Sequence, residues 1–195
     1  MNYQYFIKEK VKEISALPRV LDVGGGARFQ KWLAPYKDFF ANCRYETMDT
    51  DRTSGADIIG DIHRIPLPDN SVPGIICHSV LEHVEDPLRA MAELKRVLAP
   101  GGKIFMYIPS VYPYHARRGV YPDYWRFFDD TVRLLFRGFH SVEIVKRGGY
   151  FTGLSFFIPL RSYVTWLVVP VVALLDIVFA RGRNTTAGYY IFAEK

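Results

Sequence analysis

Arg19-Val20-Leu21-Asp22-Val23-Gly24-Gly25-Gly26-Ala27-Arg28-Phe29 is the stretch from which the rest of the chain is read. A short apolar run from Val20 to Val23 stops in three glycines, and helical spacing resumes at Phe29. The pattern is that of a buried strand turning tightly into a helix whose N-terminus can receive a ligand. Glycine suits such a turn because it tolerates positive φ and lets the backbone approach a ligand closely. Nucleotide-binding sheets of many kinds use a loop like this, so the segments that follow must decide between them.

Size and composition set the frame. The 195 residues (22.5 kDa) are enough for one domain with a real core, and 49% hydrophobic with 23% charged residues is a globular composition. A net charge of +5 and a pI near 9.2 suit an anionic substrate, a nucleic acid or an anionic membrane surface. Cys43 and Cys77 provide neither metal-ligand spacing nor a disulfide framework. Met1 to Leu17 is polar and charged rather than signal-like, which makes the cytoplasm the expected location.

Working outward, Phe6, Ile7, Val11, Ile14 and Leu17 mark an amphipathic helix that Pro18 ends. Beyond the glycines a helix is expected over 29–40, shortened or kinked by Pro35. Cys43 to Met48 is a second strand, followed by Asp49-Thr50-Asp51. A carboxylate at that strand's tip lies beside the first glycine loop in a right-handed βαβ unit, where it can accept from ribose hydroxyls. A third short strand ends in Gly60-Asp61-Ile62, and a fourth runs Gly74-Ile75-Ile76-Cys77-His78 into Ser79-Val80-Leu81-Glu82-His83-Val84-Glu85-Asp86-Pro87. A helix from Leu88 to Leu98, a turn at Pro100-Gly101-Gly102 and a buried strand from Lys103 to Pro109 follow.

These segments resemble, in order and spacing across 19–109, the motifs of class I S-adenosylmethionine (SAM) dependent methyltransferases, in the small-molecule type 11-like branch. Val20-Leu21-Asp22-Val23-Gly24-Gly25-Gly26 is similar to the first motif. Gly60-Asp61 with Leu67-Pro68-Asp69-Asn70-Ser71 is similar to the third, and Leu81-Glu82-His83-Val84-Glu85-Asp86-Pro87 to the loop after strand four. Leu94-Lys95-Arg96-Val97-Leu98-Ala99-Pro100-Gly101-Gly102 matches the phrase before strand five. The resemblance implies an α/β, Rossmann-like fold with a mostly parallel seven-stranded sheet of order 3-2-1-4-5-7-6 and helices on both faces. It implies SAM as cofactor, S-adenosylhomocysteine as product, and no metal. Asp22 would orient the loop and the amino end of the cofactor, with Gly24, Gly25 and Gly26 admitting its backbone. Asp49, beside Thr50, would hold the ribose, with Asp51 in reserve. Asp61 and Ile62 would meet the adenine, and His78 and Ser79 the methionine end. Two departures stand out. Arg28 occupies the third family glycine, and Val72-Pro73-Gly74 replaces a Phe-Asp pair. An NAD-dependent oxidoreductase fits less well, because Phe29 stands where pyrophosphate binding wants glycine. No Asn-Pro-Pro-Tyr-type loop follows strand four, so a nucleic-acid acceptor is not expected. A non-catalytic interaction module with this fold, bound to a membrane or a partner protein, stays open as the rival reading.

The acceptor side is expected at 110–137, a stretch rich in aromatics, prolines and arginines over the C-terminal ends of the strands. Tyr114, Arg117, Tyr124, Trp125 and Arg126 are the candidate substrate contacts, with Arg118 another candidate anion ligand. Aromatic faces suit sugar rings or acyl chains, and guanidinium suits phosphate or carboxylate. The plain alternative is that Tyr124, Trp125 and Phe127 are core and Asp123–Arg126 a structural pair. His115, and after it His83, are the candidate bases for transfer to a hydroxyl, though His83 also fits a structural role bonding a neighbouring loop. Asp129-Asp130-Thr131 is expected to cap a helix, and Ser141 to Lys146 to form strand six.

From 156 to 180 the chain is almost wholly apolar, interrupted by Arg161, Asp176, Pro159 and Pro170. A transmembrane helix needs about 20 apolar residues. A single span there would strand the last sheet segment, Ala187 to Ala193, across the membrane. The expectation is a helical insertion that is membrane-interfacial or re-entrant, with Arg161, Arg181 and Arg183 at the headgroups, or that forms a homodimer interface or a hydrophobic lid. The chain reads as one domain over 1–195. Its acceptor would be a small molecule, a glycan or a lipid-linked compound, methylated at oxygen, and the inner face of a membrane is the candidate peripheral location.

Overall fold

Residues 2–29, 31–158, 165–180 and 184–195 are described by a computed structural model. Strand β1 (Arg19–Val23) is buried on both faces because it lies inside a seven-stranded sheet. Its companions are β2 (Arg44–Asp49), β3 (Ile58–Ile59), β4 (Val72–His78), β5 (Leu98–Pro109), β6 (Ser141–Lys146) and β7 (Gly188–Glu194). The order is β3-β2-β1-β4-β5-β7-β6, with β7 antiparallel to both neighbours and every other pair parallel. This is the expected topology. It gathers the C-terminal ends of β1, β2, β4 and β5 on one edge, where ligands bind in open parallel sheets.

Alternation along the strands divides the core in two. Val20, Ile76 and Phe105 face α1 (Tyr3–Ser15) through Phe6, Ile7, Val11 and Ile14. Leu21, Ile75 and Ile104 face the opposite side, covered by α2 (Pro87–Val97) and α3 (Asp129–Leu135) through Met91, Leu94, Val97, Val132 and Leu135. The departure at Val72-Pro73-Gly74 has a packing reason. A Cβ on Gly74 would stand 2.9 Å from Leu17, 3.0 Å from Val20 and 3.1 Å from Ile14, so glycine lets the end of α1 settle on the base of β4.

Three local expectations are corrected. The segment after the glycine loop is a 3₁₀ helix, Lys31–Phe40, rather than an α-helix from Phe29. Pro35 lacks an N–H and crowds the preceding turn, which favours the tighter winding. Phe29 itself is left-handed (φ 55°), with its ring stacked on Tyr45 at 4.2 Å. Asp129 does not cap α3, whose N-cap is Phe128. Its carboxylate accepts from Tyr189 Oη (2.5 Å) and Lys146 Nζ (2.9 Å) and ties the helix to the sheet instead. The third strand is confined to Ile58–Ile59.

The apolar insertion forms α5 (Thr165–Phe179) beside the short α4 (Tyr150–Ser155). Asp176 joins them: its carboxylate accepts from the backbone N–H groups of Gly149 (2.8 Å), Phe151 (2.7 Å) and Thr152 (3.2 Å), and from the Thr152 hydroxyl (2.6 Å). The interruption in the apolar run is therefore the group that fills the open donors at the start of α4. Around the rest of α5, Trp166, Leu167, Val169, Val171, Leu174, Ile177 and Val178 are exposed. Among the described residues no helix is long and apolar enough to cross a membrane. Pro159, Arg161, Arg181 and Arg183 lie outside the described residues.

Replacing Gly74 by valine should overpack the α1–β4 contact and lower stability by about 1–3 kcal/mol. Urea unfolding of the two proteins checks this, and equal midpoints would contradict the packing account.

Candidate functional site

The glycine loop leaves β1 with Gly24 and Gly26 both at positive φ (73° and 57°). Gly24 donates its N–H to Met48 O at the tip of β2 (2.7 Å), and a side chain there would collide with Val80 of the loop after β4. The loop is thus pinched between two neighbouring strand ends. Beneath it lies Asp22, only 6% exposed. Tyr45 donates its hydroxyl to Asp22 Oδ2 (2.5 Å), and a Cβ on Gly25 would come within 2.7 Å of the same carboxyl. Burial pushes the Asp22 carboxyl up to about 7 against the opposing pull of Tyr45, and the nearby charge of Asp49 adds to the rise.

Asp49 ends β2 next to the Met48 carbonyl that takes Gly24, so its carboxylate stands alongside the glycine loop. Its Oδ1 accepts from Asp51 N–H (3.0 Å), and Thr50 beside it is exposed. Arg28, in place of the third family glycine, makes a forked pair with Asp57 (2.8–3.1 Å). Asp57 in turn accepts from Thr47 N–H (2.9 Å), so the fork fastens the 51–57 loop against the end of the glycine loop. Asp61 is 59% exposed at its side chain, and its Oδ1 meets both the N–H and the ring Nδ1 of His63 at 2.8 Å. Ile62 is buried in the core beside it.

The cradle fits SAM. Left-handed glycines, a carboxylate at the tip of β2 and the buried Asp22 under the loop meet the amino acid and ribose ends of such a molecule with acceptors and closely approaching backbone. Arg28 does not fill it, because its guanidinium is turned to Asp57.

On the acceptor side, His78 stacks between Trp32 (4.3 Å) and Tyr107 (4.9 Å), and Ser79 follows in a left-handed conformation (φ 57°) that its N–H bond to Tyr107 O holds (2.9 Å). A cavity of about 110 Å³ opens here, lined by His78, Ser79, Glu82, Tyr107, Tyr112, His115 and Arg147, with Pro109 at its wall. Glu82 is 1% exposed; burial raises its carboxyl to about 7, and its Oε2 has no hydrogen-bond partner among the described residues. His83 donates from Nδ1 to Pro122 O (2.6 Å), which leaves its Nε2 with a lone pair, 3.8 Å from Glu82 Oε1. Burial depresses the His83 pKa. The His115 ring lies 4.9 Å from that of His83, so the two candidate bases, distant in sequence, meet.

The 110–128 segment holds this arrangement through one ion pair. The Asp123 side chain, 1% exposed, is gripped by Arg126 at 2.6 and 2.7 Å, which holds its carboxyl down at about 2. It also accepts the backbone N–H of His115 (2.8 Å). Arg126 further donates to the carbonyls of Tyr112 (2.9 Å) and Pro113 (2.7 Å). Arg126 therefore stands in an internal clamp. Tyr124 and Trp125 lie along the outer edge, bonded to Glu85 (3.3 Å) and to Val84 O (2.8 Å), and Tyr114 is 78% exposed. Arg117 belongs to an exposed turn closed by backbone bonds with Tyr121.

Sequence reasoning missed Arg147, Tyr107, Tyr112 and Glu82. Arg147 is partly buried at the cavity, donates to Tyr107 Oη (3.1 Å) and lies over the rings of Tyr107 and Phe156. No carboxylate pairs with it among the described residues. Only Glu82 carried a signal, as the middle of the Leu81-Glu82-His83 phrase.

Residues 21–106 match the model of a family described as a methyltransferase domain. Over 46 residues, 24% of the chain, it is 46% identical to an uncharacterized methyltransferase of Schizosaccharomyces pombe, covering 16% of that protein. The chain spans about a sixth of the length of the curated relatives it matches. Among solved structures, a SAM-dependent methyltransferase from Archaeoglobus fulgidus aligns over 98% of this chain and 94% of its own at a TM-score of 0.62 and 14% identity. The [4+2]-cyclase SpnF aligns over 100% and 84% at a TM-score of 0.56 and 17% identity. At such identities the likeness is one of fold.

Because native Asp22 keeps its proton up to about 7 while an unfolded aspartate loses it near 3.8, the native state binds more protons between those values. Rising pH therefore removes stability over that window. Asp22→Asn should remove that loss, so its melting temperature should gain on the parent's as pH rises from 4.5 to 7.5. A constant difference across the range, read by calorimetry, would contradict the assignment.

Proposed function

We propose that this chain, whose residues 21–106 match a methyltransferase domain and whose sheet has the class I methyltransferase order, uses SAM to methylate a hydroxyl on an anionic, lipid-linked or envelope-type acceptor. The observation that carries the reading is the cavity after β4. Arg147, which has no carboxylate partner among the described residues, lines it together with Glu82 and His115, and His83 stands beside those two, just beyond the loop that begins at Ser79.

When bound, SAM would supply an activated methyl carbon to the acceptor oxygen, the electron pair of the broken carbon–sulfur bond staying on sulfur. The chain supplies placement. Gly24 and Gly26 seat the donor, Asp22 fixes the loop from below, and Asp49 accepts from the ribose. Asp61, beside Ile62, serves the adenine. Tyr107 and Tyr112 wall the acceptor, and Arg147 takes its phosphate or carboxylate as a charge-assisted partner. The acceptor proton leaves toward the lone pairs of the Glu82–His83–His115 cluster. Much of the acceleration then comes from holding two reactants in line.

The apolar arc of α5 supports a membrane-bound source for this acceptor. The exposed residues from Trp166 to Val178 are all apolar, and α4, to which α5 is bound, leads into Phe156, whose ring contacts Tyr112 at 4.9 Å. Net charge +5 favours an anionic lipid surface. This reading has the protein work from the inner face of a membrane, docked without spanning it.

Calorimetric titration with S-adenosylhomocysteine should show micromolar binding. Asp49→Ala, losing charge-assisted bonds to the ribose, should weaken it by about 10–100-fold. Absence of binding to the folded parent would sink the enzyme reading in favour of an interaction module. Separately, Leu174→Asp with Ile177→Asp should abolish co-sedimentation with anionic vesicles and leave homocysteine-product binding unchanged. A parent that dimerises in solution and ignores vesicles would instead make α5 a subunit interface.

A further inference from the structure

We infer that Glu82, His83 and His115 form a binding site for a zinc-class divalent cation at the wall of the acceptor cavity. One oxygen or ring nitrogen from each residue lies within 4.8 Å of the others. The inference rests on the acceptor-cavity reading above and departs from the expectation that no metal takes part.

Three independent features of the cluster point to a cation. The first is Glu82, a side chain 1% exposed whose Oε2 has no hydrogen-bond partner among the described residues. A buried acceptor left without a donor is costly unless something occupies it. The second is the orientation of both histidines. His83 Nδ1 donates to Pro122 O at 2.6 Å. His115 Nδ1 lies 3.1 Å from Pro113 O and 3.2 Å from Asp123 Oδ2, groups that can only accept from it. In His83 Nδ1 therefore carries the hydrogen and Nε2 the lone pair, and in His115 the two nearest partners of Nδ1 favour the same tautomer over the longer approach of Arg126 Nη2 at 3.4 Å. Metal-ligating histidines are oriented in this way, one nitrogen held by a carbonyl or carboxylate and the other turned to the ion. Arg126, gripping Asp123, stabilises that outer shell on the His115 side.

The third feature is spacing. Ligand atoms about 2.1 Å from a tetrahedral ion stand roughly 3.4 Å apart. His83 Nε2 and Glu82 Oε1 are 3.8 Å apart, so a small inward shift brings this pair to bonding geometry. Backbone bonds hold the two contributing loops together: Tyr124 N–H and Trp125 N–H both donate to Glu82 O, at 2.7 and 3.2 Å. Tyr121, 4.5 Å from the His83 ring, and Tyr112, 5.0 Å from the His115 ring, flank the cluster.

Two imidazoles and one carboxylate select zinc, cobalt, nickel or iron(II) over magnesium or calcium, which want oxygen ligands throughout. Three protein ligands also leave a coordination position open, and Glu82 and His115 both line the cavity. An acceptor hydroxyl entering that position would have its pKa lowered by the ion and release its proton to water, so with the ion bound water replaces the cluster's own lone pairs as the proton acceptor. Its oxygen would then form the new bond to the methyl carbon as the carbon–sulfur electron pair passes to sulfur. With Arg147 opposite, the ion also makes the cavity cationic, which suits an acceptor carrying phosphate or carboxylate.

The test uses the full chain stripped with chelator and titrated with Co²⁺, followed by its visible absorption bands and by calorimetry, with Zn²⁺ as competitor. One ion should bind per chain at micromolar or tighter affinity, and Zn²⁺ should displace it. His83→Ala and His115→Ala should each weaken binding by at least tenfold, and Glu82→Gln likewise. Should Glu82→Gln fail to fold, the two histidine variants decide. Asp49→Ala, which impairs the methyl-donor site, should bind cobalt as the parent does. Homocysteine-product binding without cobalt binding would overturn this inference and leave the methyl-transfer reading intact. Cobalt binding without product binding would do the reverse. Cobalt bound equally by the parent and by the His83→Ala, His115→Ala double variant would place the ion elsewhere and overturn the site.

Discussion

The hydrogen bond from Tyr45 to Asp22 governs the donor half of the molecule. It buries a carboxyl between two parallel strands, directly under the glycine loop. A charge there would be expensive, and burial answers by raising the carboxyl to about 7. The geometry follows. Gly25 must lack a side chain because the carboxyl fills the space below it, and Gly24 must be left-handed to reach Met48 O. That bond in turn sets Asp49 beside the loop. The parallel register of β1 on β2, Val23 opposite Met48, thus positions the Asp49 carboxylate and the glycine backbone in one step.

The acceptor half is built differently. Between β5 and α3 no regular element forms, and the segment owes its shape to a buried aspartate. Asp123 collects Arg126 and the His115 N–H, and Arg126 collects the carbonyls of Tyr112 and Pro113. An irregular loop satisfies its backbone groups this way when no ladder is available. The result is rigid enough to aim the His115 ring at the loop after β4. Arg126 is consumed in building this segment, and Arg147, arriving from the far end of β6, brings to the cavity a guanidinium with no carboxylate partner among the described residues.

How much of this was legible follows from how local each feature is. The strands, the glycine turn and the carboxylate after β2 are set by apolar runs and short spacings, and the sequence displays both. The resemblance across 19–109 fixed the sheet order. The helix after the glycines was legible as a helix but not as 3₁₀, though Pro35 marked the place. Pairings between distant residues left no trace: Tyr45 with Asp22, Arg28 with Asp57, His83 with His115. Each arises because the sheet brings strand ends together, a property of the tertiary register rather than of any window of sequence. Arg28 is instructive, since it looks like a damaged motif in the sequence and is a fastener in the structure.

Asp176 shows how the apolar insertion is bound to the rest of the fold. A lone acid in an apolar helix is costly unless its oxygens are satisfied. Here four donors at the start of α4 satisfy them, so α5 cannot shift without uncapping α4. Helix α4 lies close to the acceptor side, where Gly153 approaches Val111 so closely that a Cβ would stand 3.0 Å away. Phe156, one residue past the helix, meets Tyr112 and Arg147, both lining the cavity. The chain of contact runs from the exposed apolar arc through one carboxylate to the wall of the cavity after β4, so α5 is mechanically continuous with that wall.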